Sequence, residues 1–252
     1  MAKGDRDFVG AMEKGLAVIE SFDRANAKQT LSDVARRTGM TRAATRRYLL
    51  TLSRLGYAET DGKLFWLTPR VLRLGYALLS SIPLPRLAQP ILDRIGERVD
   101  EVASIAVREN DDVMFLAHST SHRIVLAKAG VGMRIPMFSS AAGKAILAFQ
   151  PDAEIERFLK SRKFPKLTPL TKTEFKEQLT ELKSVRAKGF AVSDEELERG
   201  LRSIAVPVPD SQGRVNLAIA VSLHAGRMTV DEMIKKAVPE LLAGSKELTS
   251  ML

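Results

Sequence analysis

The stretch spanning residues 31–67 constrains the fold more than any other, because its leucines, arginines and glycines fit one arrangement. Leu31, Val34 and Ala35 recur at helical spacing, and Gly39 follows as the residue type that most readily closes a helix. Thr41 can cap a second helix whose inward side holds Thr45, Tyr48, Leu49, Leu52 and Leu55, with Gly56 ending it. Residues 57–60 and 63–67 are rich in strand formers and flank Asp61-Gly62, a tight-hairpin dipeptide whose two positions both take positive φ. An earlier helix, over residues 9–22, aligns Met12, Leu16, Ile19 and Phe22. Three helices and a hairpin predict a winged helix-turn-helix.

Charge follows the same segment. Residues 34–58 hold six arginines and no acid. Residues 1–85 carry 14 lysines and arginines against 8 acids, and residues 86–252 carry 25 against 22, so most of the net +9 lies in one third of the chain. A basic surface can serve nucleic acid, an acidic membrane or solubility, and charge alone does not choose. The pattern is more selective. Thr41, Arg42, Ala43, Arg46 and Arg47 fall at the start or on the outward side of the second helix. Arginine reads guanine O6 and N7 through two hydrogen bonds, and an alanine or threonine methyl meets the thymine methyl. Further arginines would neutralise phosphates and fix register. Lys63, at the hairpin tip, would touch the backbone or the minor groove. The competing reading is a solvated basic face on a small helical bundle.

Thr68-Pro69 opens a helix over residues 68–81 with Val71, Leu72, Leu74, Gly75, Leu78 and Leu79 on its apolar side, and Ile82-Pro83-Leu84-Pro85 breaks it. This gives a DNA-binding domain at 1–67, a linker helix and hinge at 68–85, and a second domain at 86–252. There the pattern predicts helices at 86–99, 141–149, 152–159, 173–188 and 230–251. Strands are predicted at 103–107, 113–117, 124–127, 203–207 and 215–223. Helices on an antiparallel sheet make the fold class α+β.

Several chemistries are disfavoured. Without cysteine there is no disulfide, thiolate metal site or cysteine nucleophile. The polar residues 1–7 hold no signal core and no run approaches a membrane span, so a cytoplasmic protein with no membrane partner is expected. His118 and His122 have i, i+4 spacing between two strands, where it does not converge on one metal. No serine sits in a G-x-S-x-G elbow. Asp194-Glu195-Glu196 could imitate paired catalytic carboxylates, but reads better as a solvated or capping cluster at a strand-to-helix turn. No catalytic residue, metal or cofactor is therefore expected. A small hydrolase with a basic N-terminal helical bundle remains the alternative, and a ligand-free architectural DNA binder a third class. Ser139-Ser140-Ala141-Ala142-Gly143-Lys144 leads into an apolar helix and serves either an anion at the helix start or tight helix-on-sheet packing. It is not a phosphate loop, because Phe138 stands at the first glycine position and Ala145 follows Lys144.

Several blocks together resemble the IclR family of bacterial transcriptional regulators. They are Gly15-Leu16-Ala17-Val18-Ile19, Leu31-Ser32-Asp33-Val34-Ala35, Leu52-Ser53-Arg54-Leu55-Gly56-Tyr57 and Ser140-Ala141-Ala142-Gly143-Lys144-Ala145. Gly189-Phe190-Ala191-Val192-Ser193-Asp194-Glu195-Glu196 and Gly200-Leu201-Arg202-Ser203-Ile204 complete the set. The resemblance implies an N-terminal winged helix-turn-helix on double-stranded operator DNA, a linker helix, and a C-terminal GAF-like α/β effector-binding domain. It also implies a homodimer or dimer of dimers. Asp5-Arg6-Asp7-Phe8-Val9, Met133-Arg134-Ile135-Pro136-Met137 and the Asp194 block are similar to the aromatic-catabolism branch, the Pca and Pob regulators of the β-ketoadipate pathway. Those sense protocatechuate, 4-hydroxybenzoate or β-ketoadipate, which implies a small organic, aromatic acid as effector. By the same carry-over, Ser140, Ala141, Ala142 and Gly143 line the effector pocket, and Asp194, Ser203 and Ser222 bind its polar groups. Arg134 is a candidate to pair with its carboxylate, or else a surface arginine. Arg202 is a candidate for an ion pair with Glu195, Glu196 or Glu198.

Overall fold

A computed structural model describes residues 8–75, 83–120, 130–161 and 163–252. The chain divides into two compact units, Met1–Ile82 and Pro83–Leu252.

The first unit contains α1 (Gly10–Glu20), β1 (Gln29–Thr30), α2 (Leu31–Thr38), α3 (Arg42–Arg54), β2 (Ala58–Thr60) and β3 (Leu64–Leu67). A capping box starts α2: Thr30 Oγ1 accepts from the Asp33 N–H while the Asp33 carboxylate accepts from the Thr30 N–H. Gly39 ends it at φ +67°, a left-handed position that glycine adopts without steric cost. Thr41 Oγ1 then accepts from the Ala44 N–H and opens α3. Val18, Val34, Leu49, Leu52, Ala58 and Phe65 make the core.

Three expectations need correcting. Leu55 is exposed, because α3 ends at Arg54 and Leu55 is already its cap. On α1 the buried residue is Val18, whereas Met12 and Leu16 are exposed. In the hairpin only Gly62 has positive φ; the Asp61 carboxylate braces the turn by accepting from the N–H groups of Lys63 and Leu64, at 2.9 and 2.7 Å. The hairpin also gains a strand, giving the order β1-β3-β2. After β3, Thr68 caps a 3-10 turn at Pro69–Val71 and residues 72–75 are helical; the rest of the expected linker helix lies outside the described residues.

The second unit is built on an antiparallel sheet of order β6-β5-β4-β9-β8-β7. Its strands are β4 (Val102–Glu109), β5 (Asp112–His118), β6 (Arg134–Pro136), β7 (Ala191–Asp194), β8 (Leu201–Pro209) and β9 (Val215–His224). The short edge strands β6 and β7 were not foreseen, and the expected strand at 124–127 lies outside the described residues. One face is covered by α4 (Leu84–Val99) and α8 (Val230–Thr249), which meet where Gly244 leaves room for Ile91 and Ile95.

The other face carries α5 (Ala141–Leu147), with α6 (Asp152–Lys160) and α7 (Phe175–Lys188) packed beside it. Its floor is small: Ala191, Ala205, Ala218, Ala220 and Ala106 are all buried in the α5 core. A helix settles closely on such a floor. Gly143 completes the fit, because a Cβ there would overlap the Met137 backbone. An alanine in place of a helical glycine ordinarily stabilises. Here we expect Gly143→Ala to destabilise by about 1–3 kcal/mol through overpacking, measured by urea denaturation.

Candidate functional site

Two places concentrate chemistry, one in each unit. In the first, Thr41, Arg42, Ala43, Arg46 and Arg47 are all exposed along α3, and Lys63 is exposed at the hairpin tip. Arg36 and Arg37 on α2 are engaged, pairing with Asp33 and Asp23. Arg42, Arg46 and Arg47 have no ion-pair partner among the described residues. Like charges four residues apart on a helix repel, so Arg42 and Arg46 tax α3 unless an anion approaches. The hairpin behind them is stiff: the N–H groups of Leu64 and Lys63 hold the Asp61 carboxyl below the usual carboxylate range. The arrangement is a capped helix presenting cations unpaired among the described residues, beside a braced hairpin with Lys63 at its tip, which fits a polyanion with a groove.

In the second unit, strand register brings serines together. Ser193 on β7 lies opposite Ser203 on β8, Ser203 opposite Ser222 on β9, and Ser222 opposite Val102 on β4. Directly opposed residues share a face, so the three serines form one row across three strands. Ser193 Oγ donates to the Ser139 carbonyl at 2.7 Å, which fixes that face as the one beneath the start of α5. Ser140 Oγ donates to the Pro136 carbonyl and accepts from the Gly143 N–H, and Ala141, Ala142 and Gly143 are buried. A wall of small residues thus stands over a floor of hydroxyls.

The same alternation turns two candidate residues away from that face. Asp194 follows Ser193 and therefore points to the opposite face, where Arg202 Nε donates to its carboxylate at 2.7 Å. Arg202 also donates to the carbonyls of Ala225 and Met228, so its ion pair is with Asp194 rather than with the glutamates after it. Arg134, opposite Met114 and one residue from the buried Ile135, also lies on the far face, paired with Glu109 and Asp112 at 3.1 and 3.0 Å. Ser193 is the member that sequence reasoning missed. Its signal was available: in a strand, the residue aligned with Ser203 is fixed by register, not by charge.

The acidic run after β7 is not a solvated cluster either, and no helix follows it. Glu196 is buried and accepts from Lys144 Nζ at 2.5 Å; Glu181 on α7 accepts from the same ammonium at 2.8 Å. Lys144 is 0% exposed. Lys172 joins the group, and although burial opposes its charge, Glu181 and Glu196 hold its pKa above the ordinary lysine value. Thr168 and Thr171 hydroxyls donate to the carbonyls of Glu195 and Glu196, both at 2.7 Å. The network ties α5 to α7 and to the loop after β7. Removing one partner strands a buried charge, so we expect Lys144→Met to cost about 3–5 kcal/mol in denaturant titrations. Lys144→Met/Glu196→Leu should recover part of that loss.

His118 ends β5 opposite Ser104. His122 lies outside the described residues, and among those described no cluster of histidines and acids could hold a metal ion. No described helix is long and apolar enough to cross a membrane.

Comparison with known proteins bears on both places. Residues 11–62 match the IclR helix-turn-helix domain, and residues 76–250 match the bacterial transcriptional regulator IclR C-terminal domain. The chain is 41% identical to the Pca regulon regulatory protein of Pseudomonas putida, over 99% of this chain and 86% of that one. A crystal structure of a protein from Rhodococcus sp. RHA1 is 38% identical, with a TM-score of 0.82 over 96% of this chain and 98% of the other. The inducer-binding domain of an Acinetobacter PobR double mutant, solved with 3-hydroxybenzoic acid, is 26% identical. It covers 67% of this chain and 99% of its own, with a TM-score of 0.64.

Proposed function

This chain belongs to the IclR family of bacterial transcriptional regulators, and on that premise we propose how its residues divide the work. It is a regulator and not an enzyme, and the hydrolase reading gains no support from its relatives. In the proposal, residues 1–67 bind operator DNA in the cytoplasm, residues 68–85 link, and residues 86–252 sense a small aromatic acid.

The unpaired arginines of α3 carry the DNA reading. Arg42 and Arg46 are assigned to base edges in the major groove, with Thr41 and Ala43 meeting thymine methyls. Arg47 and Lys63 neutralise phosphate. Exposed Phe8, Met12 and Leu16 recur every four residues along the α1 stretch, and an apolar stripe of this kind supports a homodimer, itself open to pairing into a dimer of dimers. A two-fold dimer reads two half-sites about one helical turn, or a multiple of it, apart. We expect Arg42→Ala or Arg46→Ala to weaken operator binding by about 1–3 kcal/mol in gel-shift titrations where the arginine reads a base. Unchanged affinity in both variants would take α3 out of the interface. Met12→Glu should shift the sedimenting species towards monomer and weaken operator binding with it; a dimer that persists removes the stripe from the interface.

The basin between the Ser140–Gly143 wall and the Ser193, Ser203 and Ser222 floor is assigned to the effector. Small wall residues admit a flat ring, and serine hydroxyls donate to a carboxylate. The Pca name of the Pseudomonas relative and the acid bound by the Acinetobacter domain favour an aromatic acid. Arg134 and Asp194 are left out, since both point to the other face. Calorimetry of the full chain with hydroxylated benzoates tests this. We expect binding that Ser222→Ala weakens by about 0.5–1.5 kcal/mol, the usual worth of one hydrogen bond. No heat and no thermal shift with any of them would contradict it.

A further inference from the structure

Among the described residues, the ring of His118 on the face beneath α5 has a nitrogen without a partner. His118 is opposite Ser104, and Ser104 is opposite Ala220, the residue two before Ser222 on β9. Alternation along the strands puts the imidazole on the same face as Ser193, Ser203 and Ser222. Phe115 agrees: its ring centroid is 5.1 Å from that of His118, and it belongs to the core beneath α5. Nε2 of His118 is buried and makes no hydrogen bond among the described residues. Buried polar atoms are nearly always satisfied, so an orphan calls for a reason. A ring placed only to fill space beside Phe115 would need no nitrogen there.

The protonation state narrows the reason. Burial holds the His118 pKa below the ordinary histidine value, against a hydrogen bond to the Gly130 backbone that favours the charged ring. The imidazole is therefore neutral near pH 7. A neutral imidazole carries one N–H and one lone-pair nitrogen, here taken with the lone pair at Nε2. A buried acceptor selects a ligand with a donor at that point, because mismatched polar groups stay unpaired.

We propose that His118 Nε2 determines ligand specificity, accepting a hydrogen bond from a hydroxyl carried at the end of the ligand away from its carboxylate. The proposal rests on the effector basin assigned above and fixes the orientation of the ligand within it. Ser222 and His118 stand two strands and two residues apart, roughly 12 Å between backbones at ordinary strand geometry. One benzene ring with a substituent at each end spans that gap. At the serine end Ser139 Oγ is also fully buried and without a partner among the described residues, and a hydroxyl there can donate to a carboxylate. A second carboxylate in place of the ligand hydroxyl would face the Nε2 lone pair and be rejected.

The test is calorimetric titration of the full chain with 4-hydroxybenzoate, benzoate and adipate. The wild type should bind 4-hydroxybenzoate at least about tenfold tighter than benzoate, and adipate no better than benzoate. His118→Phe keeps the ring shape and removes the acceptor, so the ratio of hydroxybenzoate to benzoate affinity should collapse towards one. His118→Gln restores an acceptor oxygen and should recover part of that ratio, which separates lost chemistry from lost folding. A ratio that survives in His118→Phe, or a wild type that prefers benzoate or adipate, overturns the histidine role while leaving the basin intact. Failure of all three acids to bind overturns both.

Discussion

The second unit depends on one close approach: the backbone of Gly143 lying against that of Met137 with no side chain between. That contact lets a seven-residue helix settle onto alanines from β4, β7, β8 and β9. Once α5 is seated, Ser193 reaches the Ser139 carbonyl and the serine row lies under the helix start. Lys144, the next residue, is carried into the interior where Glu196 and Glu181 receive it. A larger residue at position 143 would lift the helix, open the basin and unseat a buried ammonium together. Packing, ligand geometry and a buried ion network therefore share one steric condition.

The first unit works by the opposite principle. Its helices are set by local chemistry, with the Thr30–Asp33 capping box, Gly39 and Thr41 each satisfying backbone groups within a few residues. That determinacy leaves α3 free to carry cations without neutralising partners. The structural cost is repulsion along the helix, and phosphate offsets it. The arginines are thus poor choices for an isolated bundle and good ones for a groove reader.

Legibility in the sequence follows the same division. Caps, glycine stops and leucine spacing are local signals, so the bounds of α2 were readable to the residue, and the exposure of Arg42, Arg46 and Arg47 with them. The misjudged parts depend on partners distant in sequence. Leu55 and Leu16 have the right spacing for a core that ends short of them. Asp194 comes from the family resemblance, but the register of β7 against β8 decides which residue faces α5, and it selects Ser193. Register on β6 likewise makes Arg134 the surface arginine of its two readings. Glu196 reads as a solvated acid until Lys144, 52 residues earlier, is placed against it. His118 is set aside as a metal ligand from its spacing, and only the strand opposite shows which face its ring takes.

Control of DNA affinity by a ligand requires that the acid bind two states of the protein unequally, and the same coupling must run in both directions. The most direct measurement is a fluorescence anisotropy titration of the full chain on operator DNA taken from beside its own gene, with and without saturating 4-hydroxybenzoate. The account predicts an operator affinity that changes by about fivefold or more when the acid is present, the lower end of ordinary allosteric coupling. The same affinity at zero and saturating acid, with the acid demonstrably bound, would contradict it.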